Sequence, residues 1–309
     1  MPTSPPALRP GDRVAIVCPA RKVSHAEVAA AVRILTSWGL DVVLGETVTA
    51  EYHQFAGPDE LRRADIQRML DAPDIRAILC ARGGYGTSRI IDQLDFSRFA
   101  ENPKWIAGFS DVTVLNCHLL NLGHESIHGV MPLLFDQEGG EESLESLRKV
   151  VFGEPISYAA PAHPLNRLGT ATGELVGGNL SLLQNLSGTA SDCPTAGRIL
   201  FLEDIDEYLY NLDRMMVHLD RTGKLRDLAG LLVGHFTDPH DNTVPFGQTP
   251  YEIIQTYASK YSFPVAYGFP VGHEPQNMAL VCGRMAQMVV GAAGARVEYI
   301  AATPRFSPL

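Results

Sequence analysis

Short apolar runs alternate with amphipathic stretches through the first half of the chain. The run RVAIVCPA (13–20) is typical of a buried strand, and SHAEVAAAVRILTSWG (24–39) has the apolar spacing of a helix. Ser24 is followed three residues later by Glu27, which is a capping-box signal, and Gly39 is a stop signal. Further strand-like runs are DVVLGETV, IRAILCARGG and WIAGFS. This alternation predicts an α/β fold with a mostly parallel sheet and helices packed on it.

The periodicity fades between residues 136 and 170, where the chain becomes polar and then rich in Pro and Ala. We therefore predict an N-terminal domain (1–155), a linker (156–167) and a C-terminal domain (168–309). One helix is clear in the second half, YNLDRMMVHLDRTG (210–223), and its apolar face consists of Leu212, Met215, Met216 and Leu219. Short apolar runs surround it. The second half is thus expected to be a smaller α/β or strand-rich domain.

Composition narrows the class of protein. Of 309 residues, 45% are hydrophobic and 19% are charged, which is ordinary for a globular protein. The net charge of −10 makes nucleic acid a poor partner, because phosphates need Lys and Arg to neutralise them. The chain has neither a signal-peptide start nor an apolar run of about 18 residues that could cross a membrane. A cytoplasmic location without membrane attachment is expected.

The number and spacing of the cysteines also fit the expected cytoplasmic location. The five cysteines are an odd number, and no pair has CxxC spacing. This pattern favours reduced, mostly buried thiols over a disulfide framework or a zinc site.

A lone serine lies at the joint WIAGFSDVTVL (105–115), where a strand-like run gives way to a helix-like one. Gly108 precedes Ser110 by two residues, which relieves crowding at a sharp turn. Serine on such a turn presents its hydroxyl at the carboxyl edge of the sheet, where ligands bind. The fit to G-x-S-x-G is incomplete, because Val112 stands in place of the last glycine. Ser110 is therefore either a helix cap or a nucleophile.

A glycine-rich turn follows another predicted strand, in CARGGYGTSRIIDQL (80–94). Glycines let the backbone approach a ligand and aim N–H groups at an anion. The spacing differs from a nucleotide-binding P-loop, and no lysine follows. An oxyanion donor and an ordinary turn both remain open.

Two further polar joints lie in the second half. Glu203 ends the strand-like run ILFL and begins a cluster of acids that continues to Glu207. The cluster fits helix-start acids, a metal site, or a carboxylate that orients a histidine. His273 lies in the loop YGFPVGHEPQN. The order Ser110, Glu203, His273 would suit a hydrolase triad in a cleft between the two halves.

With these motifs in view, the chain resembles the LD-carboxypeptidase family of serine peptidases. That family includes muramoyltetrapeptide carboxypeptidases and microcin C7 self-immunity peptidases. The resemblance covers nearly the whole chain and rests on motifs that follow the family's order: ARGGYGTSRI, GFSDVTVL, IHGVMP, GGNLSLL, LFLEDIDEYLYNLDRMMVHL and GFPVGHEPQNMALVCG.

The resemblance implies a Ser-Glu-His triad of Ser110, Glu203 and His273, with an oxyanion hole from the backbone N–H groups of Gly84 and Asp111. It also implies an N-terminal parallel-sheet domain with flanking helices, a swivelling β/α C-terminal domain, a homodimer, and no metal or other cofactor. A carboxypeptidase needs a cation for the terminal carboxylate of its substrate. The candidate is Arg89, for which an ion pair within the first domain is the alternative.

The implied reaction is the release of terminal D-Ala from a murein tetrapeptide, a small muropeptide substrate, in peptidoglycan recycling. Val130 and the segment Cys18-Pro19-Ala20 depart from the family's usual residues and leave the substrate less defined than the reaction. Three alternatives remain open. They are a peptidase acting on peptidyl or aminoacyl nucleotides, a non-catalytic peptide- or sugar-binding protein, and a metallohydrolase built on the acid cluster.

Overall fold

The computed structural model describes residues 2–300, which form thirteen strands and eight α-helices. The strands are β1 (Arg13–Val17), β2 (Asp41–Leu44), β3 (Ile75–Cys80), β4 (Trp105–Ala107), β5 (Ser126–His128), β6 (Ser157–Pro161), β7 (Gly169–Asn179), β8 (Ile199–Ile205), β9 (Gly230–Thr237), β10 (Val265–Tyr267), β11 (Leu280–Cys282), β12 (Met285–Gly291) and β13 (Gly294–Tyr299). The helices are α1 (His25–Ser37), α2 (Asp59–Asp71), α3 (Ser97–Glu101), α4 (Thr113–Asn121), α5 (Glu141–Val151), α6 (Leu180–Asn185), α7 (Leu209–Arg221) and α8 (Pro250–Ala258).

The first sheet has the strand order β11-β5-β4-β3-β1-β2. Strands β1 to β5 pair in parallel, as the alternating pattern predicts. The remaining strand, β11, comes from the second half of the sequence and pairs antiparallel with β5. Helix α1 begins with the predicted capping box, in which Ser24 and Glu27 bond each other's backbone N–H groups. The first half is therefore a parallel sheet with one strand contributed from the second half.

The second sheet has the order β10-β9-β8-β7-β12-β13-β6 and one strand more than the first. Strands β7 to β10 are parallel, whereas β6, β12 and β13 are joined by antiparallel pairs. The segment predicted as the linker, residues 156–167, includes β6, which pairs with β13 at the sheet edge. The predicted domain bounds stay a prediction.

The two halves share an apolar core around α4, the helix that follows Ser110. Its buried Val114, Leu115 and Leu119 belong to the same cluster as Val176 on β7 and Leu180 on α6. Burying one such side chain is worth about 1.5–3 kcal/mol. The helix behind the serine is thus packed directly on the second half.

The second half has more helix than its pattern indicated. The predicted apolar face of α7 is buried at all four positions, Leu212, Met215, Met216 and Leu219. Helices α6 and α8 were not predicted. In the first half, the glycine-rich turn is followed by two short 3₁₀ turns, Thr87–Arg89 and Ile91–Gln93.

All five cysteines are free and buried, as the sequence predicts. Within residues 2–300, none of the helices combines the length and the apolar character needed to cross a bilayer.

Candidate active site

Ser110 occupies a strained turn directly after β4. Its φ is +61°, in the left-handed region that non-glycine residues seldom adopt. It is the first residue of the 3₁₀ turn Ser110–Val112, Phe109 is the N-cap, and no side chain caps the turn. The helix-cap interpretation of Ser110 is therefore wrong. Strain of this kind costs about 1–3 kcal/mol and concentrates at active sites, where it aims a side chain.

Neighbouring glycines make room for this turn. A Cβ atom added to Gly108 would lie 2.9 Å from the Val112 side chain. One added to Gly83 would lie 3.0 Å from Ser110 Cβ and 3.2 Å from the backbone N of Asp111. The buried Asn116 side chain donates a hydrogen bond to the Gly108 carbonyl at 3.2 Å. The strained turn is thus held between glycines where any side chain would collide.

The glycine-rich turn after β3 packs against this serine turn. Gly84 has a φ of +99°, and Gly86 has a φ of +148°. The Asp111 side chain is buried and accepts a hydrogen bond from the backbone N–H of Thr87 at 2.9 Å. Burial raises the pKa of the Asp111 carboxyl. The two backbone segments that carry Gly84 and Asp111 are therefore joined through the Asp111 side chain.

Glu203 on β8 and His273 in the loop after β10 form a buried pair. The His273 Nδ1 atom lies 2.7 Å from Glu203 Oε2. The Glu203 side chain is fully buried, and the His273 side chain is 13% exposed. Gly272 has a φ of +132°, and a Cβ there would lie 3.1 Å from Glu203 Cβ, so glycine allows the loop to approach the strand.

This pairing sets the proton affinity of the imidazole. Burial alone would lower the pKa of His273, but the charge of Glu203 and the hydrogen bond to it outweigh burial and raise the pKa. With Nδ1–H donating to the carboxylate, the neutral ring keeps Nε2 as a free acceptor. The arrangement is that of a base held in one tautomer.

Phe109 connects the pair to the serine turn. Its ring centroid lies 4.8 Å from that of His273, and Ser110 is the next residue along the chain. Among the described residues, no hydrogen bond joins Ser110 Oγ to the His273 ring. Catalytic hydrogen bonds are often long in proteins without bound substrate. The structure thus brings Glu203 and His273 into direct contact and sets the serine turn beside the imidazole.

Asn179 and Thr113, which the sequence pattern did not single out, link the serine turn to the strand that carries Glu203. The Asn179 side chain donates to Asp204 at 2.7 Å, and its backbone N–H donates to Thr113 Oγ1 at 3.1 Å. Thr113 lies three residues after Ser110, and Asp204 follows Glu203 directly. Burial, and then the charge of Glu203, raise the pKa of Asp204 to about 7. Asn179 therefore bridges the serine turn and the strand that carries Glu203.

The glycines before Asn179 explain this close approach. A Cβ on Gly178 would lie 2.5 Å from Thr113 Oγ1, and one on Gly177 would lie 2.0 Å from the Phe201 carbonyl. The motif GGNLSLL, quoted above without a role, was the signal that could have found Asn179.

Both halves of the chain match models of one peptidase family. Residues 14–129 match the LD-carboxypeptidase N-terminal domain, and residues 172–288 match the LD-carboxypeptidase C-terminal domain. The chain belongs to the LD-carboxypeptidase family. Its membership confirms the resemblance and the predicted α/β fold, and it places the chain among the peptidases.

Named relatives of this family cover almost the whole chain. A probable murein peptide carboxypeptidase of Bacillus subtilis is 36% identical over 296 residues, covering 92% of this chain and 91% of that protein. A murein tetrapeptide carboxypeptidase of Pseudomonas aeruginosa is 34% identical over 298 residues, covering 92% and 96%. The crystal structure of a muramoyltetrapeptide carboxypeptidase from Oxalobacter formigenes superposes with a TM-score of 0.85 at 28% identity, covering 94% of this chain and 100% of the other.

His128 is a fully buried histidine that packs against Phe109, the residue whose ring contacts His273. Its ring lies 5.7 Å from that of Phe109 and 5.0 Å from that of Phe201, centroid to centroid. Burial lowers the pKa of His128 to about 4, so the ring is neutral near pH 7. His128 lies in the motif IHGVMP, in which the sequence pattern assigned it no role.

Arg89, the predicted carboxylate ligand, is held by an acid of its own domain. Its Nε lies 2.9 Å and 3.0 Å from the two carboxylate oxygens of Asp59, and its Nη2 lies 2.7 Å from Oδ2. The buried Arg62 also pairs with Asp59. The ion pair weighed as the alternative is therefore present, and a role of Arg89 in binding substrate stays a prediction.

The acids at 203–207 each have a different partner. Asp204 bonds to Asn179, Asp206 pairs with His240, and Glu207 accepts from Asn211, while Glu203 pairs with His273. Within residues 2–300, no three His, Cys, Asp or Glu side chains converge as metal ligands would. The four carboxylates therefore serve separate side-chain contacts rather than one shared site.

Proposed function

We propose that this protein is a serine-type LD-carboxypeptidase that releases terminal D-Ala from a murein tetrapeptide through Ser110, Glu203 and His273. The observation that carries the proposal is the 2.7 Å pair of Glu203 and His273 next to a serine with a φ of +61°. The relatives named as a probable murein peptide carboxypeptidase and a murein tetrapeptide carboxypeptidase support the substrate class. Cytoplasmic peptidoglycan recycling and a homodimer stay predictions.

Acylation begins with the neutral imidazole. His273 Nε2 takes the proton of Ser110 Oγ as the oxygen attacks the carbonyl carbon of the last peptide bond. The charge that develops on the carbonyl oxygen is met by the backbone N–H groups of Gly84 and Asp111. Glu203 holds the ring in its tautomer and stabilises the imidazolium.

Release of D-Ala and hydrolysis complete the cycle. The imidazolium of His273 gives its Nε2 proton to the nitrogen of D-Ala as the C–N bond breaks, which leaves an ester on Ser110. His273 then accepts a proton from water while the water oxygen attacks the ester carbon. The proton returns to Ser110 Oγ, and the shortened peptide leaves.

The test is a hydrolysis assay with a disaccharide tetrapeptide, followed by mass spectrometry for the loss of one alanine residue. Ser110→Ala is expected to bind the peptide without cleaving it. Ser37→Ala, which removes an exposed hydroxyl on α1, is the matched control and is expected to cleave normally. Normal turnover by Ser110→Ala would contradict the proposal.

The same assay separates the alternatives. An aminoacyl nucleotide that is hydrolysed faster than the tetrapeptide would favour the immunity-type peptidase. Tight peptide binding without turnover by the unmodified protein would favour a non-catalytic binder. Activity that a chelator removes and added metal restores would favour a metallohydrolase.

A further inference from the structure

The chemistry of a carboxypeptidase restricts where its cation can lie. The bond that breaks is the last one, so the terminal carboxylate is one residue away from the carbonyl under attack. One residue spans at most about 3.3–3.6 Å. The group that binds the carboxylate must therefore border the oxyanion site.

Most cations around the glycine-rich turn already have partners. Lys22 pairs with Glu51 at 2.8 Å, and Arg89 pairs with Asp59. The partly buried Arg82 donates to the carbonyl of Lys22 at 3.4 Å. These groups are engaged within the protein.

Arg21 differs from them. It is exposed, and within residues 2–300 its guanidinium forms neither an ion pair nor a hydrogen bond. Its backbone N–H donates to the carbonyl of Gly83 at 3.3 Å, which anchors the residue to the glycine-rich turn. Because the Arg21 guanidinium has no partner among these residues, no existing interaction has to break when it binds a carboxylate.

The Arg21 side chain lies on the proposed oxyanion donor. A Cβ built on Gly84 would be 2.0 Å from Arg21 Cδ and 2.6 Å from Cγ, so the aliphatic stem covers this glycine. The neighbouring Gly83 touches the Ser110 turn, since its added Cβ would lie 3.0 Å from Ser110 Cβ. The guanidinium therefore extends from a stem that borders Gly84, the residue directly after the glycine that packs on the serine turn.

We propose that Arg21 binds the terminal carboxylate of the substrate. The inference deepens the proposed function, on which it rests, by naming the residue that restricts cleavage to the end of the peptide. The planar guanidinium matches a carboxylate with two parallel hydrogen bonds, which a lysine cannot reproduce. Arg21 takes the role that the sequence had given to Arg89.

The experiment measures binding without turnover, in the Ser110→Ala background. Calorimetry gives the affinity for a murein tetrapeptide and for the same peptide ending in D-alaninamide. Adding Arg21→Ala is expected to weaken binding of the acid roughly 10- to 100-fold and to leave the amide unchanged, because only the charge-assisted hydrogen bonds to the carboxylate are lost. Arg21→Lys is expected to recover part of the preference for the acid. Lys22→Ala, a neighbouring cation, is the matched control and is expected to keep it in full.

Each other outcome overturns the inference. An unchanged preference for the acid in Arg21→Ala, an equal loss for acid and amide, or a preference abolished by Arg89→Ala instead would all contradict it, as would absence of peptide binding. Acid preference through Arg21 without any cleavage by the unmodified protein would refute the proposed function alone.

Discussion

The Ser110 turn and the Glu203–His273 pair reach their geometry by different means. The serine is held by backbone: a φ of +61° and flanking glycines where a Cβ would lie 2.9–3.0 Å from its neighbours. The histidine is held by charge: a buried carboxylate at 2.7 Å that raises the pKa of the ring. The position of the serine depends mainly on sterics, whereas that of the histidine depends on an ion pair.

The difference predicts different failures. Substitutions around the serine should move atoms and change stability together with rate. Substitutions in the pair should change proton transfer and its pH dependence.

Among substitutions that leave Ser110 in place, the largest effect is expected from Glu203→Gln. The amide keeps the shape but loses the charge, and we expect kcat/KM to fall roughly 10³- to 10⁴-fold. A base works when neutral, so activity rises with pH through the pKa of His273, which lies above its ordinary value of 6.5 in this protein. Without the carboxylate that pKa falls, and the acid limb should move to lower pH. A pH–rate profile measures this shift. An acid limb that stays at the same pH would contradict the view that the charge of Glu203 sets the pKa of His273.

Gly84→Ala tests the sterically held region, the glycine-rich turn that packs against the Ser110 turn. The added Cβ meets Arg21 Cδ at 2.0 Å, and a φ of +99° strains any L-residue. Displacing a proposed oxyanion donor should lower kcat roughly 10²- to 10³-fold. Gly123→Ala is the control, because its φ is +80° and nothing lies within 4 Å. We expect it to lose stability without losing activity; comparable rates for the two variants would count against the oxyanion role.

Thr113→Val tests the bridge between the two regions. The loss of the hydroxyl leaves the buried backbone N–H of Asn179 without its acceptor, which should cost about 1–3 kcal/mol. We expect kcat/KM to fall roughly tenfold, because the serine turn loses its register with the second sheet. Thr113→Ser keeps the hydroxyl and should stay close to the unmodified protein. Equal activity of both variants would show that the bridge does not set the alignment.

The smallest effect concerns strain alone. Ser110→Gly and Ser110→Ala both remove the hydroxyl, but only glycine accepts a φ of +61° without strain. We expect the glycine variant to be more stable than the alanine variant by about 1 kcal/mol in urea unfolding. The reverse order would argue that this turn is not strained.

Local patterns predicted the elements that depend on near neighbours. The Ser24 capping box and the apolar face of α7 form as expected. Helix α8 carried an equally good signal, with Thr249 as cap, Pro250 at the first turn and Glu252 three residues after the cap, and the prediction missed it.

The candidate site depends on tertiary contacts that the spacing of residues in the sequence does not reveal. The pairing of Arg89 with Asp59 joins residues 30 positions apart, through the placement of α2. The role of Asn179 depends on how the second sheet meets α4. The positive φ of Ser110 is imposed by tertiary packing, because serine has no local preference for it.

The most direct test of the account is the residual tetrapeptide hydrolysis of the double variant Ser110→Ala/His273→Ala, compared with each single variant. If the serine and the histidine act as one unit, the double variant loses no more kcat/KM than the more impaired single variant. Losses that multiply would mean that the two residues act independently, and would contradict a shared catalytic site.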